Sequence, residues 1–274
     1  MKHSLLALAA LAAFAAVADE IETSNLIGCL PVSSASKRTI VAVPWCAMSA
    51  VDNEAIQVSN LVKTANLTAG DMLHYVNNSS GSYLSWRLSD TAVKFWESVN
   101  LATDDAEVTV SPAAHNQTVE RGSSIILIRQ NPTNELGQAK TFYLYGQVGT
   151  SAATVSTTIA QGVAETPAYS LFAAPTTNSW SINSIAWDNV NEADRISLTL
   201  DNGLQITLAP FSEGDPAAWV WKRSVPAFDE VIGVQTGNVW QVYSNAIPAG
   251  KGAWYISFGG NPTINWENVP VTGN

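Results

Sequence analysis

The side chains with the clearest potential for ligand chemistry are the ten tryptophans. An exposed indole ring can stack on the apolar face of a sugar, whereas a buried ring adds about 150–250 Å² of apolar surface to a core. Trp96 and Trp219 share one position in the internal repeat described below, which predicts a buried anchor in each half. The unrepeated ones are the candidate ligand-binding residues: Trp180, Trp187, Trp240 and Trp266.

Residues 188–194, with the sequence DNVNEAD, form an oxygen-rich segment. Calcium takes six to eight hard oxygen ligands, and such a loop can supply several of them. A solvated turn is the favoured interpretation, so no cofactor is assigned, and a structural calcium is the alternative. The candidate ligands are Asp188, Asn191, Glu192 and Asp194. The first half keeps only Asn66 and Asp71 of this pattern, so Asp71 and Asp194 are expected to accept backbone hydrogen bonds in a turn.

No residue is assigned a catalytic role. Acidic residues cluster at 104–107 and 229–230, but adjacent residues of a strand point to opposite faces, so neither cluster is a ready acid pair. No G-x-S-x-G motif is present, and His74 and His115 are the only histidines after residue 18. His74 is expected on a strand surface. These patterns favour a non-enzymatic protein, with an acid-pair glycoside hydrolase as the weakest alternative.

The first 18 residues have the pattern of a secretory signal peptide, with a basic start, an apolar run and small residues before Asp19. The chain is therefore expected to be exported to the periplasm, the cell surface or the extracellular medium. The apolar run is short for a spanning helix, and no later segment is long enough, so no integral membrane segment is expected after cleavage. Net charge falls from −10 to −11 on cleavage, which disfavours nucleic acid as a partner.

The chain contains two cysteines, Cys29 and Cys46. Export to an oxidising compartment favours a disulfide between them, which would contribute about 3 kcal/mol in the chain-entropy model. Two buried free thiols are the alternative.

Internal similarity runs through the chain after the signal peptide. Residues 26–28 resemble 144–146, and residues 131–133 and 261–263 are both Asn-Pro-Thr. A single offset of 123 residues relates four further pairs: Asn60 and Asn183, Asn66 and Asn189, Asp71 and Asp194, and Trp96 and Trp219. The shared order of these matches predicts a tandem duplication.

Within each half, short alternating segments such as 195–200 and 204–208 predict half-buried strands, and Asp201-Asn202-Gly203 predicts a tight hairpin between them. Only 53–62 and 181–187 suggest helical turns. The fold class is thus all-β, as two related β-sandwich or open-barrel units. The predicted divisions are a signal peptide at 1–18, a first unit at 19–148, a junction or added strand at 149–166, and a second unit at 167–274. One continuous sandwich shared by both repeats is the alternative.

The closing segment Pro248-Ala249-Gly250-Lys251-Gly252-Ala253-Trp254-Tyr255 completes a set of landmarks. With the signal peptide and the repeated units, it resembles a family of secreted bacterial β-rich proteins of uncharacterised activity. The resemblance implies architecture and assigns no site residue. The primary functional hypothesis is a structural, self-assembling or adhesive protein whose partners are itself or other surface proteins, because exposed strand edges can pair with another chain. A carbohydrate-binding module that stacks tryptophans on polysaccharide is the alternative.

Overall fold

The computed structural model describes residues 27–47, 54–79, 81–99, 117–147, 155–200, 203–214, 218–228 and 235–266. The predicted signal peptide lies outside these ranges. Antiparallel strands make up almost all of the regular structure described, which confirms the all-β class.

Each half of the described chain contributes a series of short strands. The first half contains β1 (Ile27–Ser33), β2 (Arg38–Ala42), β3 (Ile56–Gln57), β4 (Met72–Val76), β5 (Tyr83–Leu88), β6 (Trp96–Ser98), β7 (Thr118–Val119), β8 (Ser124–Ile128) and β9 (Thr141–Gln147). The second contains β10 (Val155–Thr158), β11 (Ala168–Phe172), β12 (Arg195–Thr199), β13 (Gln205–Glu213), β14 (Ala218–Phe228), β15 (Gln235–Val242), β16 (Ala253–Ser257) and β17 (Thr263–Trp266). A helical turn, α1 (Val58–Leu61), and a 3₁₀ turn (Ile182–Ser184) lie in the two segments where helical turns were predicted.

The two main sheets have the same strand order. The first runs β2-β8-β4-β5-β6, and the second runs β11-β16-β12-β13-β14 and then adds β15. The short pairing of β3 with β7 corresponds in the second half to the bridge between Trp180 and Ile247. Likewise, β1 pairs with β9 as β10 pairs with β17. Strand β15 therefore distinguishes the second sheet from the first.

The paired strands correct one of the predicted repeat matches. Trp96 lies opposite Leu88 in the first sheet, and the corresponding place opposite Pro210 in the second belongs to Trp221. Trp96 and Trp221 are both fully buried, whereas Trp219 is only partly buried. The constant offset of 123 missed this pair because chain length between the strands differs in the two halves.

The predicted hairpin joins β12 to β13, where Gly203 has a φ of 82° and its N–H donates to the carbonyl of Leu200. The matching hairpin joins β4 to β5 and uses Gly81 with a φ of 68°. A positive φ costs little at glycine because it has no Cβ. Gly203 and Gly81 thus lie at sharp reversals, whereas Asp201 and Asn202 of the predicted turn lie outside the described residues.

Three groups of buried apolar residues stabilise the fold. One core fills the first half around Trp86 and Trp96, and another fills the second around Phe172 and Trp221. The third, smaller group includes Leu171 of β11 and packs β11 against the first sheet.

Backbone hydrogen bonds also join the two halves along a seam. The N–H of Ala42 donates to the carbonyl of Gly250, and the N–H of Ala173 donates to that of Gly122. The buried guanidinium of Arg121 donates to the carbonyls of both Pro44 and Pro175, at 3.1 and 2.9 Å. Each half thus supplies hydrogen-bond acceptors to the other.

Gly28 and Gly146 are direct partners in the pairing of β1 with β9. A Cβ on Gly28 would overlap the indole ring of Trp45, and a Cβ on Gly146 would overlap the Cβ of the same tryptophan. The similarity of residues 26–28 to 144–146 was predicted to reflect the repeat. The two glycines of these segments instead lie on neighbouring strands of the same half. Both strands need glycine because the Trp45 side chain passes close to their backbones.

The segment predicted as a junction or an added strand contains β10. This strand pairs with β17, and the hydroxyl of Thr157 donates to the carbonyl of Gly122 in the first half at 3.1 Å. Strand β10 thus pairs within the second half and also touches the first.

Candidate functional site

The four tryptophans predicted to bind ligand occupy different environments. Trp187 is a core residue: its ring stacks on Tyr255 with centroids 5.8 Å apart, and its indole N–H donates to a backbone carbonyl. It cannot act as a surface platform. Trp180 is largely buried, Trp266 is half-buried and Trp240 is 48% exposed.

Trp180 and Trp266 meet at the wall of an open cleft of about 600 Å³ in the second half. Their rings are nearly perpendicular, with centroids 5.8 Å apart. The cleft lies between the loop that follows β11 and strand β17, which pairs only with the short strand β10 among the described strands. The structure thus brings together two of the predicted tryptophans, and Asp188 of the predicted calcium loop lines the same cleft.

The two indole N–H groups of the cleft wall are already bonded. Trp180 donates to the carbonyl of Lys251 at 3.3 Å, and Trp266 donates to the hydroxyl of Thr157 at 3.1 Å. These bonds fix the rings, so their free surface at the cleft is carbon. On β17, the Asn265 amide accepts a hydrogen bond from Ser156 at 2.8 Å and is therefore held in place.

The predicted calcium loop is organised around Asp194, which is completely buried. Its carboxylate accepts hydrogen bonds from the backbone N–H groups of Asn191 and Phe258 and from the Tyr255 hydroxyl. Asp71 accepts the corresponding bonds from Thr68 and Gln130, which confirms the turn role predicted for both aspartates.

The other three candidate calcium ligands, Asp188, Asn191 and Glu192, are exposed. The amide oxygen of Asn191 accepts a hydrogen bond from the N–H of Ala193 within the turn. Among the described residues, no group of three or more His, Cys, Asp or Glu side chains is arranged to hold a metal ion.

Strand β15 forms the edge of the six-stranded sheet and has the sequence QTGNVWQV, without a charged residue. Val239, Trp240 and Val242 are 45%, 48% and 50% exposed. The Trp240 ring contacts Phe211 with centroids 5.2 Å apart. Trp240 was singled out from the sequence, but the strand was missed; its signal was an uncharged run that contains Val239, Trp240 and Val242.

The predicted disulfide is not formed: Cys29 is exposed and Cys46 is buried, both as free thiols. Gln147 of β9 pairs with Ile27 of β1 on one side and with Cys46 on the other, so β9 separates the two cysteines. Two strand spacings are about 9.5 Å, whereas a disulfide requires Cα atoms within about 7 Å. The Cys46 thiol instead donates to the carbonyl of Gln147 at 3.2 Å.

His74 is buried, although it was expected on a strand surface. Its Nδ1 lies 2.7 Å from the Ser85 hydroxyl, and its ring stacks on Tyr83 with centroids 5.4 Å apart. Burial lowers the pKa of His74, and the positive charge of Arg38 lowers this pKa further. His115 and the acidic clusters at 104–107 and 229–230 lie outside the described residues.

Within the described ranges, no helix has the length and apolar character needed to cross a membrane. Comparisons with family models, with curated proteins and with solved structures find no match to this chain.

Proposed function

We propose that this chain is a non-enzymatic, exported β protein that self-associates through strand β15 and serves a structural or adhesive role outside the cytosol. The observation that carries the proposal is the uncharged, eight-residue edge strand with three exposed apolar side chains, Val239, Trp240 and Val242. An edge strand has a row of unpaired backbone groups that another strand can complete.

Proteins usually protect such edges with charge, proline, a bulge or shortness. The corresponding edge of the first sheet, β6, is only three residues long. Strand β15 has no lysine, glutamate or proline. Its start is irregular: the pairing with β14 shifts register beside Ala227, and Gly237 has a φ of 149°. The rest of the strand is regular and suited to pairing.

A second copy of the chain is the partner that fits this edge best. Two copies of β15 can pair antiparallel about a two-fold axis, so that each strand satisfies the other. Because the strand is neutral, this contact adds no direct repulsion between strands in a chain whose net charge is −10.

Sedimentation velocity of the chain lacking residues 1–18, over a series of concentrations, tests the proposal. We expect oligomers in the unaltered protein and a shift to monomer in Val239→Lys, because the added charge opposes strand pairing. Val93→Lys is the matched control, since Val93 is also exposed and lies outside β15. Two results contradict the proposal: the unaltered protein stays monomeric at every concentration, or the Val239→Lys variant still oligomerises.

Export is a separate part of the proposal and is supported by the signal-peptide pattern of residues 1–18. Expression in a secreting host and mass determination of the product test it. We expect the released protein to begin at Asp19, and retention of the uncleaved chain in the cytosol contradicts it.

A further inference from the structure

The cleft beside Trp180 and Trp266 is independent of strand β15 and has the dimensions of a binding site. Its volume of about 600 Å³ lies in the range of small-ligand pockets, which is about 300–1,000 Å³. The two rings that form one wall are held by hydrogen bonds from both indole nitrogens. A wall fixed in this way needs little ordering when a ligand binds.

Most of the other residues that line the cleft have neutral polar side chains. They include Thr176, Asn178, Ser179, Ser184, Thr263 and Asn265. Hydroxyl and amide groups donate and accept hydrogen bonds, as do the hydroxyls of a sugar. A ligand rich in hydroxyl groups therefore matches this lining better than an apolar ligand does.

The charge of the cleft narrows the ligand class. Asp188 is the one charged residue in the described lining, and no lysine, arginine or histidine accompanies it there. A carboxylate accepts strong hydrogen bonds from hydroxyl groups but repels another carboxylate or a sulfate. Neutral sugars fit this arrangement, and acidic sugars do not.

We propose that the cleft binds a neutral saccharide. The half-buried ring of Trp266 covers the apolar face of one sugar ring, and Asp188, Asn178 and Asn265 bond its hydroxyl groups. Trp180 supports Trp266 from behind, through their perpendicular ring contact. The loop that follows β11 is thus a binding loop placed on the rigid sandwich.

Isothermal titration calorimetry with defined probes tests the proposal: cellotetraose, maltotetraose, mannotetraose and chitotetraose as neutral sugars, and tetragalacturonate as the acidic one. We expect at least one neutral tetrasaccharide to bind and tetragalacturonate not to bind. Asp188→Ala should weaken binding by about tenfold and Asn265→Ala by about fivefold, as expected for a charged and a neutral hydrogen bond.

Two variants serve as controls. Glu192→Ala removes another exposed carboxylate four residues from Asp188 and outside the cleft lining, and Trp240→Ala removes the exposed ring of β15. Both should leave sugar affinity unchanged. Since Asp188 and Asn265 are exposed, their variants should fold, and circular dichroism checks this.

Three results overturn the proposal. The first is the absence of binding by all four neutral probes at about 10 mM, which corresponds to less than about 3 kcal/mol. The second is binding that Asp188→Ala and Asn265→Ala leave unchanged. The third is equal binding of tetragalacturonate. Because β15 takes no part, none of these results affects the self-association proposal.

Discussion

The carboxylate of Asp194 accepts a hydrogen bond of 2.7 Å from the Tyr255 hydroxyl inside the second core. Burial and this hydrogen bond both raise the pKa of Tyr255, so the hydroxyl remains a proton donor throughout the usual pH range. The same carboxylate holds the backbone of Asn191 and Phe258, and it therefore joins the turn before β12 to the residues after β16.

Removing this carboxylate should destabilise the protein more than removing the hydroxyl. Tyr255→Phe loses one hydrogen bond and should lower the free energy of unfolding by about 1–3 kcal/mol. Asp194→Ala leaves several donors unpaired and should cost about 3 kcal/mol or more. Urea denaturation measures both values. Asp188→Ala, an exposed control, should stay within about 0.5 kcal/mol of the unaltered protein, and a similar loss in both aspartate variants would contradict the assignment.

Gly28→Ala should be destabilising because its Cβ would overlap the ring carbons of Trp45. Overpacking of this kind typically costs about 1–3 kcal/mol. A double-mutant cycle with Trp45→Ala tests the cause: the glycine substitution should cost much less once the indole ring is absent. An equal cost on both backgrounds would show that the ring is not the reason for glycine at this position.

Cys29 and Cys46 should differ strongly in reactivity. Ellman's reagent should modify the exposed thiol of Cys29 in the folded protein and should reach Cys46 only after denaturation. Cys29→Ser is the control and should abolish the native-state reaction. If neither thiol reacts after denaturation without reductant, the cysteines are oxidised and the separation by β9 is wrong.

The histidine in β4 should make the protein less stable in acid. Because the pKa of His74 in the folded protein is below 6.5, the unfolded chain binds a proton first as the pH falls. Stability is therefore unaffected by this group above about pH 7 and declines as the pH drops below 6.5. The decline should be smaller in His74→Gln. An NMR titration gives the pKa directly, and a value at or above 6.5 for His74 would contradict the prediction.

Features carried by local sequence were predictable. Alternation identified β4 and β12 because side chains of successive strand residues point to opposite faces. The turn roles of Asp71 and Asp194 were predicted because a short polar side chain beside a chain reversal can accept backbone hydrogen bonds. In the same turns, Asn66 and Asn189 both have a positive φ, of 64° and 55°.

Features that depend on strand neighbours were not predictable in the same way. Alternation shows which residues share a face, but not which strand lies beside them. The disulfide between Cys29 and Cys46 was wrong because β9 lies between two segments that are close in sequence. For the same reason, Trp187 could not be recognised as a core residue: its burial depends on Trp221 and Tyr255, which follow it by more than thirty residues.

The candidate cleft was only partly visible in the sequence. Trp180, Trp266 and Asp188 were each singled out, but for two different kinds of site. Their convergence depends on β17 returning beside the loop after β11, a contact between residues about eighty positions apart. The serine, threonine and asparagine residues of the loop gave no separate signal, because such residues are also typical of solvated turns.

The seam at Arg121 has a consequence for how the chain melts. Its guanidinium bonds Pro44 of one half and Pro175 of the other, and backbone bonds cross the seam in both directions. If one half opened, the other would lose these hydrogen-bond partners, so we expect the two halves to unfold together. Heating should therefore give a single calorimetric transition for the whole described chain, and its van't Hoff and calorimetric enthalpies should agree.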